Sequence, residues 1–188
     1  MLSEDLCDPG GVLIFDECGF PKKGNESAGV SRQYCGTLGK VDNCQVGVFA
    51  AYASPQGYSV VDKKLFMPEV WFTQAYDKRR KKCEVPEEVT FKSKPQLAVE
   101  MLENLRNEQS LTFQYVLADT VYGASPDFIN AIEADASLTY FVAITSDTLF
   151  WLQPPKTRTK KYKYRGKSCE KIVLDPRSPK PIQADIFA

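Results

Sequence analysis

Apolar residues fall along this chain in short runs punctuated by turn formers, with two stretches of helical period. Val12-Leu13-Ile14-Phe15 leads into Asp16-Glu17-Cys18-Gly19, and Tyr115-Val116-Leu117-Ala118 leads into Asp119-Thr120-Val121-Tyr122-Gly123. Runs of this length and composition predict strands buried on both faces, which belong to sheets covered by helices. Each would end in an aspartate, at the sheet edge where ligands bind. The segment Gly19-Phe20-Pro21-Lys22-Lys23-Gly24-Asn25 is rich in breakers and predicts a loop. Residues 44–53 and 58–66 predict a hairpin, because Ser54-Pro55-Gln56-Gly57 has proline and glycine where a type I turn prefers them.

Residues 68–93 show no clear period and predict an irregular or partly helical excursion. Pro95 suits a first helical turn, and Leu97, Met101, Leu102 and Leu105 recur at helical spacing. A strand is predicted over 113–118. Ser125-Pro126-Asp127 then offers an N-cap, a first-turn proline and an early acid, opening a helix with Phe128, Ile129 and Ile132 on one face. Residues 138–145 predict another buried strand. The order (three strands, helix, strand, helix, strand) implies an α/β fold whose mixed sheet opens antiparallel and continues with parallel strands joined by crossover helices.

Beyond residue 150 the character changes. Between Gln153 and Lys171 stand eight basic residues, Lys156, Arg158, Lys160, Lys161, Lys163, Arg165, Lys167 and Lys171, against one acid, Glu170. A proline-rich tail with Pro176, Pro179 and Pro181 follows, which should not return to the sheet. The expected organisation is a core over 1–150 and a basic segment with its tail over 151–188.

Composition narrows the chemistry. Over all 188 residues, 24 basic and 24 acidic side chains cancel, which argues against a wholly basic nucleic-acid binder but not against local basic surfaces. The six cysteines include no C-x-x-C pair and the chain has no histidine, so a zinc site and every Ser/His or Cys/His nucleophile lack their parts. Reduced thiols in a cytoplasmic setting are expected. No apolar stretch approaches the roughly 18 residues of a membrane span, and the first residues do not form a signal peptide. Any catalysis must rest on carboxylates, lysines or a metal.

A lone strand-end aspartate is often a turn residue or helix cap. Two on separate buried strands are different: neighbouring carboxylates repel unless a cation compensates, and hard oxygen ligands favour Mg²⁺ or Mn²⁺. Such ions support attack of an activated oxygen on a phosphodiester.

Several segments in order strengthen this reading. They are Asp16-Glu17-Cys18-Gly19-Phe20-Pro21-Lys22-Lys23-Gly24, then Gly29-Val30-Ser31-Arg32-Gln33-Tyr34-Cys35-Gly36-Thr37-Leu38-Gly39-Lys40, Asn43-Cys44-Gln45-Val46, and Ala118-Asp119-Thr120-Val121-Tyr122-Gly123. Together, over residues 10–150, they resemble the catalytic domain of insertion-sequence transposases of the DDE endonuclease superfamily. The resemblance implies a ribonuclease H-like mixed sheet flanked by helices, with the start of a β-rich insertion at the C-terminus. It also implies Asp16 and Asp119 as catalytic, metal-binding carboxylates, Mg²⁺ or Mn²⁺ as cofactor, and double-stranded DNA, at transposon ends and target, as partner. A homo-oligomer is implied for the complete protein. The third carboxylate of that family is a glutamate on a later helix. Glu170 lies in the basic segment and Asp175 precedes a proline, so a fragment with an incomplete active site, inactive alone, is expected.

The basic features have two readings each. In Lys160-Lys161-Tyr162-Lys163-Tyr164-Arg165 a strand places both tyrosines on one face and Lys161, Lys163 and Arg165 on the other. With Arg158, these are DNA-contact candidates, although a solvated strand with a tyrosine-covered inner face has the same pattern. Lys22 and Lys23 can reach a phosphate near the metals or simply solubilise a turn. Lys78-Arg79-Arg80-Lys81-Lys82, balanced by Glu84, Glu87 and Glu88, reads first as a solvated loop. Gly36-Thr37-Leu38-Gly39-Lys40 lacks the spacing of a phosphate loop. Two other functions fit an apolar strand ending in Asp: a non-catalytic DNA-binding or assembly module of the same fold, and a phosphatase with an aspartate nucleophile. The latter would want a second acid where Cys18 stands.

Overall fold

The computed structural model describes residues 6–108 and 111–187, and the chain divides into two compact units, residues 1–143 and 144–188. The first unit runs β1 (Val12–Pro21), β2 (Ser31–Cys35), β3 (Lys40–Ser54), β4 (Gly57–Phe66), α1 (Asp77–Lys82), α2 (Lys94–Glu108), β5 (Tyr115–Ala118), α3 (Thr120–Gly123), α4 (Pro126–Glu133) and β6 (Thr139–Val142). Its sheet has the order β2-β3-β1-β5-β6, with β4 also on β3. Cys44 pairs with both Pro21 and Ser31, and Val46 with both Gly19 and Phe66, so β2 and β4 follow one another along one flank of β3 while β1 occupies the other. β1 is antiparallel to β3, whereas β5 is parallel to both β1 and β6. An antiparallel opening, parallel additions and helical crossovers make a mixed α/β sheet flanked by helices, the ribonuclease H-like arrangement.

The core lies on one face of that sheet. Leu13, Phe15, Val48, Ala50 and Val116 meet Leu97, Ala98, Met101, Leu102 and Leu105 of α2, and Phe128 and Ile132 of α4. Burial of each large apolar side chain contributes about 1.5–3 kcal/mol. α2 starts where its sequence directs: Ser93 and Gln96 form a capping box, the Gln96 amide donating to Ser93 Oγ at 3.4 Å and the Ser93 amide to Gln96 Oε1 at 2.9 Å. Pro95 lies in its first turn. Ser125 Oγ caps α4, and Phe128 stacks edge-on against Phe15 with centroids 5.4 Å apart.

Three expectations for this unit are corrected and one strand is added. β1 does not stop at Phe15; it continues through Pro21, because ten consecutive residues pair with β3, from Val12↔Ala53 to Pro21↔Cys44. Gly19, which reads as a breaker, serves a close approach: a Cβ there would sit 2.8 Å from Cys35 Sγ. Residues 31–35, unassigned from sequence, form β2 against β3. The predicted buried strand at 138–145 shrinks to β6, where Phe141 is 63% exposed. Phe141 pairs with Leu117, which pairs with Ile14, and this row faces away from the Leu13–Phe15 core. Finally, the basic run 78–82 is helical in α1; Arg79 lies over Tyr76, Arg80 over Phe72, and Lys82 pairs with Glu26.

Among the described residues no disulfide joins any of the cysteines, and burial, with Cys35 beside it, pushes the Cys44 thiol up to about 11. Among the described residues no helix is long and apolar enough to cross a membrane.

The second unit is β-rich. β7 (Leu149–Phe150) pairs with β10 (Ile182–Gln183) in a separate two-stranded sheet, so the proline-rich tail does not join the six-stranded sheet, as expected, but it does form a strand within its own unit. β8 (Thr157–Tyr164) and β9 (Lys167–Leu174) form a hairpin closed by Arg165 and Gly166, both at positive φ, 49° and 78°. That is the backbone of a two-residue type I′ turn.

Candidate metal centre

Register brings the two aspartates together. Phe15 pairs with Ala118 in the parallel β1/β5 ladder, so Asp16 and Asp119, one residue further on each strand, emerge side by side. β5 stops at that point, because Asp119 turns to cap α3: its Oδ1 accepts from the Val121 amide at 2.9 Å. Asp16 Oδ1 accepts from the following Glu17 amide at 2.7 Å. Both aspartates are exposed.

Sequence reading missed a third carboxylate. One ligand atom from each of Asp16, Glu17 and Asp119 lies within 4.8 Å of the others. Strand alternation turns Glu17 toward the helical face, and there both of its oxygens are engaged. Lys94 Nζ donates to Oε1 at 2.6 Å and Tyr122 Oη to Oε2 at 2.9 Å. Lys94 is positioned by the capping box at the start of α2, and Tyr122 is fully buried, its ring 5.6 Å from that of Phe128. The only sequence-level hint was the capping-box spacing Ser93-Lys94-Pro95-Gln96; the partners of Glu17 lie 77 and 105 residues away.

The electrostatics suit a cation. Burial raises the Asp119 carboxyl above the usual carboxylate range, and the nearby negative charges of Glu17 and Asp16 raise it further, against the lowering effect of the Val121 amide. Three carboxylates share this spot with one ammonium, Lys94. Hard oxygen donors in such a cluster suit Mg²⁺ or Mn²⁺. Burial and the Glu17 charge raise the Tyr122 phenol as well, so it remains a donor.

The other candidates lie elsewhere. Lys22 and Lys23 follow the end of β1, six and seven residues past Asp16, which along an extended strand is roughly 20 Å. The Lys22 backbone is fixed to Asn43, whose Nδ2 donates to the Lys22 carbonyl at 2.8 Å. In the hairpin, Tyr162 pairs with Cys169 and Lys160 with Lys171, so the tyrosine face also presents Arg158, Lys160, Lys167 and Lys171. The opposite face has Lys161 and Lys163, but Glu170 is there too, 3.3 Å from Lys161. Every residue of β8 is exposed, so no covered tyrosine face exists, and Arg165 lies in the turn rather than on the strand. Glu170 is thus occupied in the hairpin, Asp175 is paired with Arg177, and Asp185, which the sequence reading passed over, opens the closing 3₁₀ turn.

A ribonuclease H-like sheet with adjacent carboxylates at the ends of its parallel central strands defines a nuclease-type catalytic fold. The model of the DDE superfamily endonuclease family matches residues 1–184. The chain belongs to that family. A curated relative, the probable transposase for insertion sequence element IS701 from Microchaete diplosiphon, is 34% identical over 142 residues, covering 72% of this chain and 32% of its own length. The chain thus spans about a third of the length of that relative. No solved structure matches significantly.

Proposed function

We propose that Asp16 and Asp119 are two of the metal-binding carboxylates of a DNA strand-cleaving and strand-joining centre, and that the β8–β9 hairpin contacts the DNA backbone. The observation that supports this best is the register at Phe15↔Ala118, which sets the two aspartates side by side with Glu17 nearby. When bound, Mg²⁺ or Mn²⁺ supplies charge stabilisation for the entering and leaving oxygens of a phosphodiester. The chain's own residues bind and orient: Asp16 from a long strand, Asp119 from a cap that keeps one oxygen on a backbone amide. A third free carboxylate, as the family resemblance implies, would complete the site. The setting is the cytoplasm, on double-stranded DNA at transposon ends and target.

Calorimetric titration of Mn²⁺ tests the reading. Wild type should bind saturably, and Asp16→Asn and Asp119→Asn, which retain the local backbone hydrogen bonds, should each weaken binding by at least about tenfold. Equal affinities in all three proteins would refute the metal centre and leave a DNA-binding module of the same fold.

A further inference from the structure

Glu17 belongs to the acidic cluster by distance, yet each of its oxygens already accepts a hydrogen bond from the helical side. Lys94 Nζ at 2.6 Å and Tyr122 Oη at 2.9 Å take one carboxylate oxygen each, and both come from the helical side of the sheet. The side chains of Lys94 and Glu17 are only 20% and 18% exposed, so the pair is shielded well enough to persist in salt. Lys94 is further held at the N-terminus of α2 by the Ser93/Gln96 capping box and by the Phe66 ring, 5.7 Å from its ammonium. Tyr122 is locked in the core against Phe128. Two side chains from separate helices therefore hold Glu17 from one side while Asp16 and Asp119 remain exposed on the other.

We propose that Lys94 and Tyr122 form a clamp that keeps Glu17 out of the metal's coordination sphere, so that the centre presents two carboxylates rather than three. This rests on the metal reading of Asp16 and Asp119. Lys94 and Tyr122 are positioning residues: they act through Glu17 and touch neither metal nor DNA. The clamp has two effects. It denies the ion a third anionic ligand from within β1, leaving coordination positions open for DNA oxygens and for a carboxylate from elsewhere in the enzyme. It also ties the start of α2, through Glu17, to α3, the short helix capped by Asp119.

The test is a cycle of Mn²⁺ titrations on the full 188-residue chain, with manganese electron spin resonance as a second readout of ligand environment. Lys94→Met should free Glu17 and tighten Mn²⁺ binding by roughly tenfold, as an added anionic ligand does. Tyr122→Phe, which opens one oxygen only, should tighten it by a smaller factor and change the resonance line in the same sense. The double variant Glu17→Gln/Lys94→Met keeps the local net charge of wild type and should return to within about twofold of wild-type affinity. Three results would overturn the clamp. A loss of about tenfold or more in the double variant would make Glu17 a ligand already. Equal tightening in Lys94→Met and the double variant would show that the gain does not pass through the Glu17 carboxylate. No change in either Lys94→Met or Tyr122→Phe, with thermal melts showing both folded, would leave nothing for the clamp to do. Asp16→Asn and Asp119→Asn separate the two layers: if they lose Mn²⁺ while the cycle shows no coupling, the clamp fails and the metal reading stands, and if they bind Mn²⁺ as wild type does, both fall.

Discussion

Side chains that look interchangeable as acids behave differently here because of what faces them. Asp119 is raised by burial beside two like charges, whereas Asp135 is held down to about 2, first by the Ser137 hydroxyl and Arg106 and then by the Ser137 amide. The Arg106–Asp135 ion pair, 2.7 Å, joins α2 to the loop before β6. A depressed carboxyl stabilises the fold above its unfolded value and loses that contribution as pH falls toward the folded value. The contribution of Asp135 should therefore be intact above about 3.8 and vanish as pH drops to about 2. Urea midpoints across that range should fall less steeply in Asp135→Asn than in wild type; parallel curves would show that the ion pair adds nothing beyond what solvent supplies.

At the scale of elements, the parts that were legible in sequence are those whose signal is local. The apolar periodicity of α2, the Ser125-Pro126 start of α4 and the 54–57 turn each report their own neighbourhood, and each is where it was expected. What was illegible depends on a partner strand. Gly19, Phe20 and Pro21 look like loop residues until β3 supplies their ladder. The charge of the β8–β9 faces cannot be read from β8 alone, since Lys167 and Lys171 join the tyrosine side and Glu170 the other only through register. This changes the expected DNA-facing surface. Neutralising Lys160 and Lys171 should lower the log–log salt slope of duplex binding by roughly 0.9 for each phosphate they no longer neutralise. Lys161→Gln should change it less, because its charge is already met by Glu170. Arg165→Asn removes a charge while suiting the positive φ of the turn. Identical slopes for the two faces would mean that the hairpin makes no directed approach to DNA.

For the molecule as a whole, the sequence indicated the class of fold and the adjacency of Asp16 and Asp119, since both follow from two apolar runs and a crossover between them. It could not indicate Glu17, whose environment is assembled from α2 and α3 by tertiary packing. The two aspartate-bearing strands are also unequal: β1 has ten residues, central in the sheet and paired on both sides, while β5 has four and passes directly into a four-residue helix. Amide hydrogen exchange should register that inequality. Amides around Asp16 should open only with the whole sheet, and those of residues 119–123 through smaller local openings. An arriving ion would then do its ordering on one side alone, slowing exchange after β5 and leaving β1 as it was. Half of the centre is a fixed jaw and half a moving one, and metal occupancy would be reported by the moving half.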